Sequence, residues 1–295
     1  MIINKAVLVA MSVSFAKLFN EAFEEVKTSY RQIATVIENV KSMTVSYAWL
    51  SDTPKMREWI GDRVLKDLKA FGYTITKKDW ESTIEVDRDD IEYDQLGIVK
   101  PRVEMMAHEA QTHYDEMLYG MIEGNGNCYD GKPFFSAAHD VGGIAFSNIS
   151  AGATSALSQA SFLATRAEMR GLVNDEGQSL KIKPNLLIVP PELEPMAITI
   201  LKASTIAGGD SNITQGMAEY LVVDDLTDAN AWYLLDVSKP IKPFIIQKNK
   251  APKFVAMDSD TDENAFMRKK YRYGVDSQDN AGFGLWQLAH KCTGV

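Results

Sequence analysis

Apolar and polar residues alternate along two neighbouring stretches, Tyr73-Thr74-Ile75-Thr76 and Trp80-Glu81-Ser82-Thr83-Ile84-Glu85-Val86, with Lys77-Lys78-Asp79 between them. A period of two predicts half-exposed strands, and the charged connection predicts a hairpin. A lone two-stranded hairpin is marginal in water, so its apolar side (Tyr73, Ile75, Trp80, Ile84, Val86) needs a surface to lie on. Another copy of the chain is one candidate for that surface. Further on, the period changes. From Pro101 to Gly124, the residues Val103, Met106, Ala107, Ala110, Tyr114, Met117, Leu118, Met121 and Ile122 fall on one helical face. Proline stands where a first helical turn tolerates it and glycine where a helix stops. At 1.5 Å rise per residue this is a rod of roughly 33 Å.

Upstream, Phe15, Leu18, Phe19, Ala22, Phe23 and Val26 make an i, i+3, i+4, i+7 stripe, with Glu21, Glu24 and Glu25 turned to solvent. One helix and its tail cannot enclose a core, so the first fifty or so residues read as an arm. The run Ala6–Met11 behind Lys5 resembles a signal-peptide core, but it is short and no small-residue cleavage site follows it. No stretch is long and apolar enough to span a bilayer, which predicts a soluble chain. Ser51-Asp52-Thr53-Pro54 reads as a helix start leading into Met56, Trp59 and Ile60.

Downstream, the pattern predicts a helix carrying Phe162, Thr165, Met169, Leu172 and Val173, then a buried strand at Leu186–Val189 bounded by prolines. A helix near Met196–Leu201 follows, then strands at Tyr220–Val223, Ala231–Leu235 and Phe244–Gln247. Phe266–Val275 and Gly282–Leu288 read as two closing strands. The fold class is α+β.

Charge narrows the function classes. Lys and Arg total 31 against 40 Asp and Glu, a net charge of -9. Tight nucleic-acid readers neutralise phosphates with clustered cations, so this balance argues against one. It is compatible with a container, whose lining must not trap its contents. Cys128 and Cys292 match no disulfide framework or zinc ribbon and read as reduced thiols.

Candidate chemistry is weak throughout. His108-Glu109-Ala110-Gln111-Thr112-His113 suggests a zinc-protease helix, but its histidines are five apart, about 140° around the axis, and cannot share an ion. Asp258-Ser259-Asp260-Thr261-Asp262 fails as a phosphatase loop, because Asp262 stands where Thr or Val is needed and the pair lies too near the C-terminus for a Rossmann-like domain to follow. It fails as a calcium loop because Glu263 and Lys269 stand where glycine and the bidentate glutamate belong. It reads as a solvated acidic turn. Cys128 and His139 could pair as nucleophile and base of a hydrolase, without any evident oxyanion element. No phosphate-binding glycine loop is present. The sequence therefore predicts no catalytic residue, no cofactor and no metal.

Several blocks together resemble the major head subunit of Mu-like tailed phages and prophages. They are Trp59-Ile60-Gly61-Asp62-Arg63, Gly72-Tyr73-Thr74-Ile75, Trp80-Glu81 and Arg88-Asp89-Asp90-Ile91-Glu92. Further along come Cys128-Tyr129-Asp130-Gly131-Lys132-Pro133-Phe134-Phe135-Ser136 with His139, and Pro184-Asn185-Leu186-Leu187-Ile188-Val189-Pro190-Pro191. Ala231-Trp232-Tyr233-Leu234-Leu235-Asp236, Tyr273-Gly274-Val275-Asp276 and Gly282-Phe283-Gly284-Leu285-Trp286-Gln287-Leu288-Ala289 complete the series. The resemblance implies a tailed-phage major capsid fold of the Hong Kong ninety-seven type. Its parts would be an N-terminal arm (1–55), an extended loop (56–95), a peripheral domain with the spine helix (96–149 plus 258–295) and an axial domain (150–257). It further implies self-assembly into hexamers and pentamers, an icosahedral shell around packaged double-stranded DNA that is not read by sequence, and assembly in the host bacterial cytoplasm. Portal, scaffold or protease and decoration proteins are the implied partners, with no membrane. The hairpin would reach over a neighbour with Tyr73, Ile75, Trp80 and Ile84 as apolar contacts and Lys77 and Lys78 at its tip; Phe15 and Phe19 of the arm would add to the contact. An encapsulin-type compartment holding protein cargo is the alternative within the same fold.

Overall fold

The computed structural model describes residues 5–47, 72–92, 97, 99–206, 209–259 and 261–294. The expected helix start at 51–60 lies outside them. The apolar stripe near the N-terminus forms α1 (Lys5–Glu25), followed by the single turn α2 (Tyr30–Ile33) and by strands β1 (Ala34–Ile37) and β2 (Thr44–Ser46). The alternating segments are β3 (Thr74–Thr76) and β4 (Lys78–Asp87), then α3 (Arg88–Glu92) and the long α4 (Val99–Gly124). Past the α4 stop come β5 (His139–Val141) and β6 (Ile144–Phe146), joined by Gly142 and Gly143 at φ +61° and +86°. Two consecutive positive φ values suit a tight turn whose twist matches that of the strands, and glycine adopts them without strain.

The remaining elements are β7 (Ile149–Ser150), α5 (Gln159–Arg170), β8 (Leu186–Val189), α6 (Glu194–Leu201), β9 (Glu219–Val222) and β10 (Trp232–Leu235). The chain ends with β11 (Phe244–Met257), α7 (Glu263–Arg268), β12 (Lys270–Phe283) and β13 (Ala289–Cys292). Helix α5 starts at a capping box, with Ser158 and Ser161 each satisfying the other's backbone N–H. Helix α2 is capped from a distance, since Ser29 and Tyr30 donate their backbone N–H groups to the Asp115 carboxylate of α4 at 2.8 and 2.7 Å.

Two sheets carry the fold. One has the order β7-β13-β10-β8-β9, and all residues of β8 and β10 are buried, as their unbroken apolar sequences require. The other has the order β1-β11-β12-β4 and is dominated by the long hairpin of β11 and β12. The two meet at an aromatic junction. Phe134 stacks on Phe283 at 4.7 Å and packs on Phe244 at 5.2 Å, while Phe135 meets Tyr233 at 5.5 Å. The expected domain ranges do not follow the two sheets: β11, from range 150–257, pairs with β12, while β13, from range 258–295, pairs with β10.

The expected hairpin does not form. Only Lys77 separates β3 from β4, and one residue cannot reverse a chain that needs at least two for the tightest hairpin. The segment instead runs on and changes partner: β3 pairs antiparallel with β2 (Thr74 opposite Ser46), and β4 pairs antiparallel with β12 (Trp80 opposite Ser277, Val86 opposite Tyr271). The period of two is correct; the partners lie far away in sequence. The closing strands differ as well. Phe266 belongs to α7, ended by Lys269 in the left-handed region, and β12 then runs without a break to Phe283. Trp286–Leu288 is a 3-10 turn leading to β13.

Candidate assembly surface

Strand β4 forms one edge of its sheet, and Lys78, Asp79, Glu81, Ser82, Thr83 and Glu85 are exposed along it. Charges on an edge strand are the usual protection against indiscriminate pairing. Glu85 accepts from Lys270 at 2.8 Å and Arg272 at 2.9 Å on β12, and these bonds hold its carboxyl below the usual range. Beside the edge lies a groove towards α4, lined in part by Trp80, Glu81, Glu109, His113 and Glu116.

Most of the predicted contact residues are occupied by the subunit's own packing. Phe15 meets Tyr273 edge-on at 5.3 Å, Phe19 packs against Phe254 at 5.7 Å, and both are buried between α1, α4 and the β12 face. Ile75 is buried with Tyr47 and Ile245, and it fills the space above Gly282, where a Cβ would lie 2.2 Å from its Cδ1. The Tyr73 hydroxyl accepts from the Phe283 backbone N–H at 2.8 Å. Ile84 is half-buried against the α1–α4 cluster. Trp80 packs on His113 at 4.5 Å and donates its indole N–H to the Asp279 carbonyl at 3.3 Å. Lys77 is no hairpin tip; it pairs with Asp79 at 2.6 Å, and Lys78 is exposed on the strand itself.

His113 illustrates what the sequence concealed. Its ring packs on Trp80 at 4.5 Å, and its Nε2 lies 3.4 Å from the Asp279 carboxylate, so it joins the α4 helix to the β4–β12 pair. Close by, Lys248 is buried, donates to the Tyr30 hydroxyl at 2.9 Å and sits 3.7 Å from the Tyr114 ring centroid. Burial, helped by nearby Arg31, lowers its ammonium to about 8. This cation–aromatic contact ties α2, α4 and β11 together, and no local spacing announces it.

The exposed apolar surface is elsewhere. Phe266 is 79% and Met267 70% exposed on α7, at the far end of the β11–β12 hairpin, with Val255 and Met257 of β11 also exposed. Asn264 bonds the Met257 sulfur, which joins helix and strand into one tip. A second group, Met196, Ile198, Ile213 and Met217, lies on α6 and the segment after it. Sequence reading placed Phe266 in a strand; the adjacent apolar pair in an otherwise polar stretch was the available signal.

The structure does bring Cys128 and His139 together, through Asp130. The Cys128 thiol donates to Asp130 at 3.0 Å, and Asp130 meets His139 Nδ1 at 2.5 Å. Burial, reinforced by the hydrogen bond to Asp130, pushes the thiol well above its ordinary range, the reverse of what a nucleophile needs. Burial would raise Asp130, but the hydrogen bonds from His139 and Cys128 outweigh it and hold the carboxyl low. Among the described residues, no helix is long and apolar enough to cross a membrane.

The solved procapsid of bacteriophage JBD30 is similar to this chain, with 33% identity, a TM-score of 0.62 and coverage of 98% of this chain and 75% of that one. The α+β architecture is thus that of tailed-phage capsid proteins, and the chain is a structural subunit of a capsid shell. In Haemophilus influenzae, the Mu-like prophage FluMu major head subunit is 33% identical over 289 residues, 97% of this chain and 72% of that protein. The major capsid protein of Escherichia phage Mu is 27% identical over 98% of this chain and 74% of that protein. The family model described as Mu-like prophage major head subunit gpT matches residues 8–156, 142–226 and 223–294, and the chain belongs to that family.

Proposed function

We infer that this subunit assembles with copies of itself into hexamers and pentamers that close an icosahedral shell around packaged double-stranded DNA in the host cytoplasm. The observation that carries the assembly reading is the bare apolar tip at Phe266 and Met267; among the described residues the other Phe, Tyr and Trp side chains are buried or half-buried. Contiguous exposed apolar surface marks an interaction site. The charged β4 edge with Lys78 is a second contact region, where charge would set register rather than affinity. The α1 helix and the β3 residues Tyr73 and Ile75 support the subunit from within. The two sheets correspond to a peripheral and an axial part, with α4 packed against the four-stranded sheet. The net charge of -9 suits a shell that holds DNA without gripping it. Portal, scaffold or protease and decoration proteins are its expected partners.

Negative-stain electron microscopy of the purified chain, produced alone and together with the neighbouring morphogenesis genes, tests the reading. Closed shells or hexameric rings are expected in at least one condition. Small globular particles under both conditions would sink it. DNA inside the shells separates this function from that of a compartment filled with protein.

A further inference from the structure

The turn after α4 holds a thiol, a carboxylate and an imidazole whose ligand atoms all lie within 4.8 Å of one another: Cys128 Sγ, an Asp130 oxygen and a His139 ring nitrogen. Cys128 and His139 are buried, and the Asp130 side chain is 14% exposed, which leaves one side open to water. The orientation of His139 is fixed by its other nitrogen. Nε2 lies 3.1 Å from the Phe134 carbonyl, an acceptor only, so Nε2 carries a hydrogen. That carbonyl is held in turn by the Asn148 amide at 2.8 Å, and the ring is clamped flat against Trp286 at 4.0 Å and 5°. Nδ1 is thereby aimed at Asp130 Oδ2, 2.5 Å away. A ring nitrogen and a carboxylate oxygen at that distance share a proton, which a metal ion binding both atoms would displace while it spreads them apart. An imidazole whose second nitrogen donates to a backbone carbonyl is the usual arrangement of a metal-ligating histidine.

We propose that Cys128, Asp130 and His139 form a zinc site, with water as the fourth ligand. The donor set of sulfur, nitrogen and oxygen is the reason for zinc: magnesium and calcium take oxygen ligands and would reject the thiolate. Tetrahedral zinc bonds of about 2.0–2.3 Å separate ligand atoms by roughly 3.3–3.8 Å. Asp130 therefore moves outward by about an ångström, towards the side on which its carboxylate reaches water. Binding releases two protons to solvent, that of the Cys128 thiol and the one shared by His139 Nδ1 and Asp130, and the carboxylate turns from both partners to the metal. The ion would brace the loop between α4 and the five-stranded sheet. This departs from the metal-free expectation from sequence, where Cys128 and His139 are paired only as nucleophile and base and their spacing of eleven matches no zinc motif.

The test is the metal content of the folded full-length chain after incubation with zinc and removal of the free ion. One zinc per chain is expected, with affinity weakened about tenfold or more in Cys128→Ser and in His139→Gln and unchanged in Cys292→Ser. A zinc-free wild-type chain, or equal zinc in Cys128→Ser, overturns the site and leaves a proton-bridged Asp130–His139 pair. Should the variants fail to fold, cobalt added to the wild-type chain decides. A thiolate-to-cobalt absorption band that survives Cys292→Ser supports the site, and its absence refutes it. Shell assembly is not part of the readout, so the capsid reading stands or falls separately.

Discussion

The five-stranded sheet and the four-stranded sheet solve different problems with the same chain. In the first, β8 and β10 are short, wholly apolar and covered on both faces, so each strand is a local run that any partner of the right length would bury. In the second, β11 and β12 are long, β11 passes from wholly buried to largely exposed, and the pair reaches beyond the core to end in an exposed helical turn with Phe266 and Met267. The first sheet is closed and serves stability. The second is buried at its base, at Phe244 and Phe283, and bare at its tip. The proposed assembly contact lies where burial is left unfinished.

The contrast can be broken most severely at the junction of the two sheets. Trp286 is 2% exposed, stacks on His139 and belongs to the large core cluster. Trp286→Ala should cost roughly 3–5 kcal/mol, read as a large drop in Tm; an unchanged Tm would refute its place in the core. Next comes pH. His290 on β13 is buried with its Nε2 against Ser150 Oγ at 2.8 Å, and burial lowers it to about 4. The unfolded chain takes up that proton below about 6.5, whereas the folded chain refuses it until about 4. Stability should therefore fall with falling pH across that window, by at most roughly 3 kcal/mol from this group. Denaturant titrations of His290→Gln should show a flatter dependence there, and a slope equal to the parent's would rule out His290 as its source.

A smaller effect is expected at the base of the hairpin. Gly284 donates to the Pro243 carbonyl at 2.8 Å, and a Cβ there would lie 2.6 Å from the Lys242 carbonyl oxygen. Gly284→Ala forces the strands apart at a cost of about 1–3 kcal/mol, measurable by chemical denaturation. The hairpin tip should respond in the opposite way. Phe266→Ser with Met267→Ser is expected to change stability by about 0.5 kcal/mol or less, because neither side chain is covered in the subunit, yet to abolish shells under the electron microscope. Normal shells from that double variant would move the assembly contact elsewhere. The β3–β4 segment offers no such clean dissection: Ile75 and Val86 are core residues, so its removal would unfold the sheet rather than free a loop.

Much of the fold was legible because its elements are locally specified. The α1 stripe, the α4 face between proline and glycine, the prolines around β8, and the apolar runs of β8 and β10 each declare their own state within a few residues. The period of two in β3 and β4 was equally plain. Its partners were not, because strand pairing is a long-range choice: β4 lies against β12 nearly two hundred positions on, and β3 against β2 about thirty positions back. Proximity in sequence suggested a hairpin, and the single intervening Lys77 ruled it out. The same limit applied to the candidate contacts. Phe15, Phe19 and Ile75 look like sticky surface when each is read on its own element, and only the packed subunit reveals that α4, Tyr273 and Ile245 already cover them.

By itself, the sequence determined the α+β class, the order of elements, the acidic character and, through blocks spread along its length, the resemblance to a capsid family. Those properties depend on local periodicity, turn chemistry and composition, which need no partner to be expressed. Tertiary structure alone decided which strands pair, that Cys128, Asp130 and His139 converge, that Lys248 sits against Tyr30 and Tyr114, and that Phe266 and Met267 are among the side chains left in water. Each of these is a property of surfaces meeting across long chain separations, where burial is assigned only after the whole core has closed.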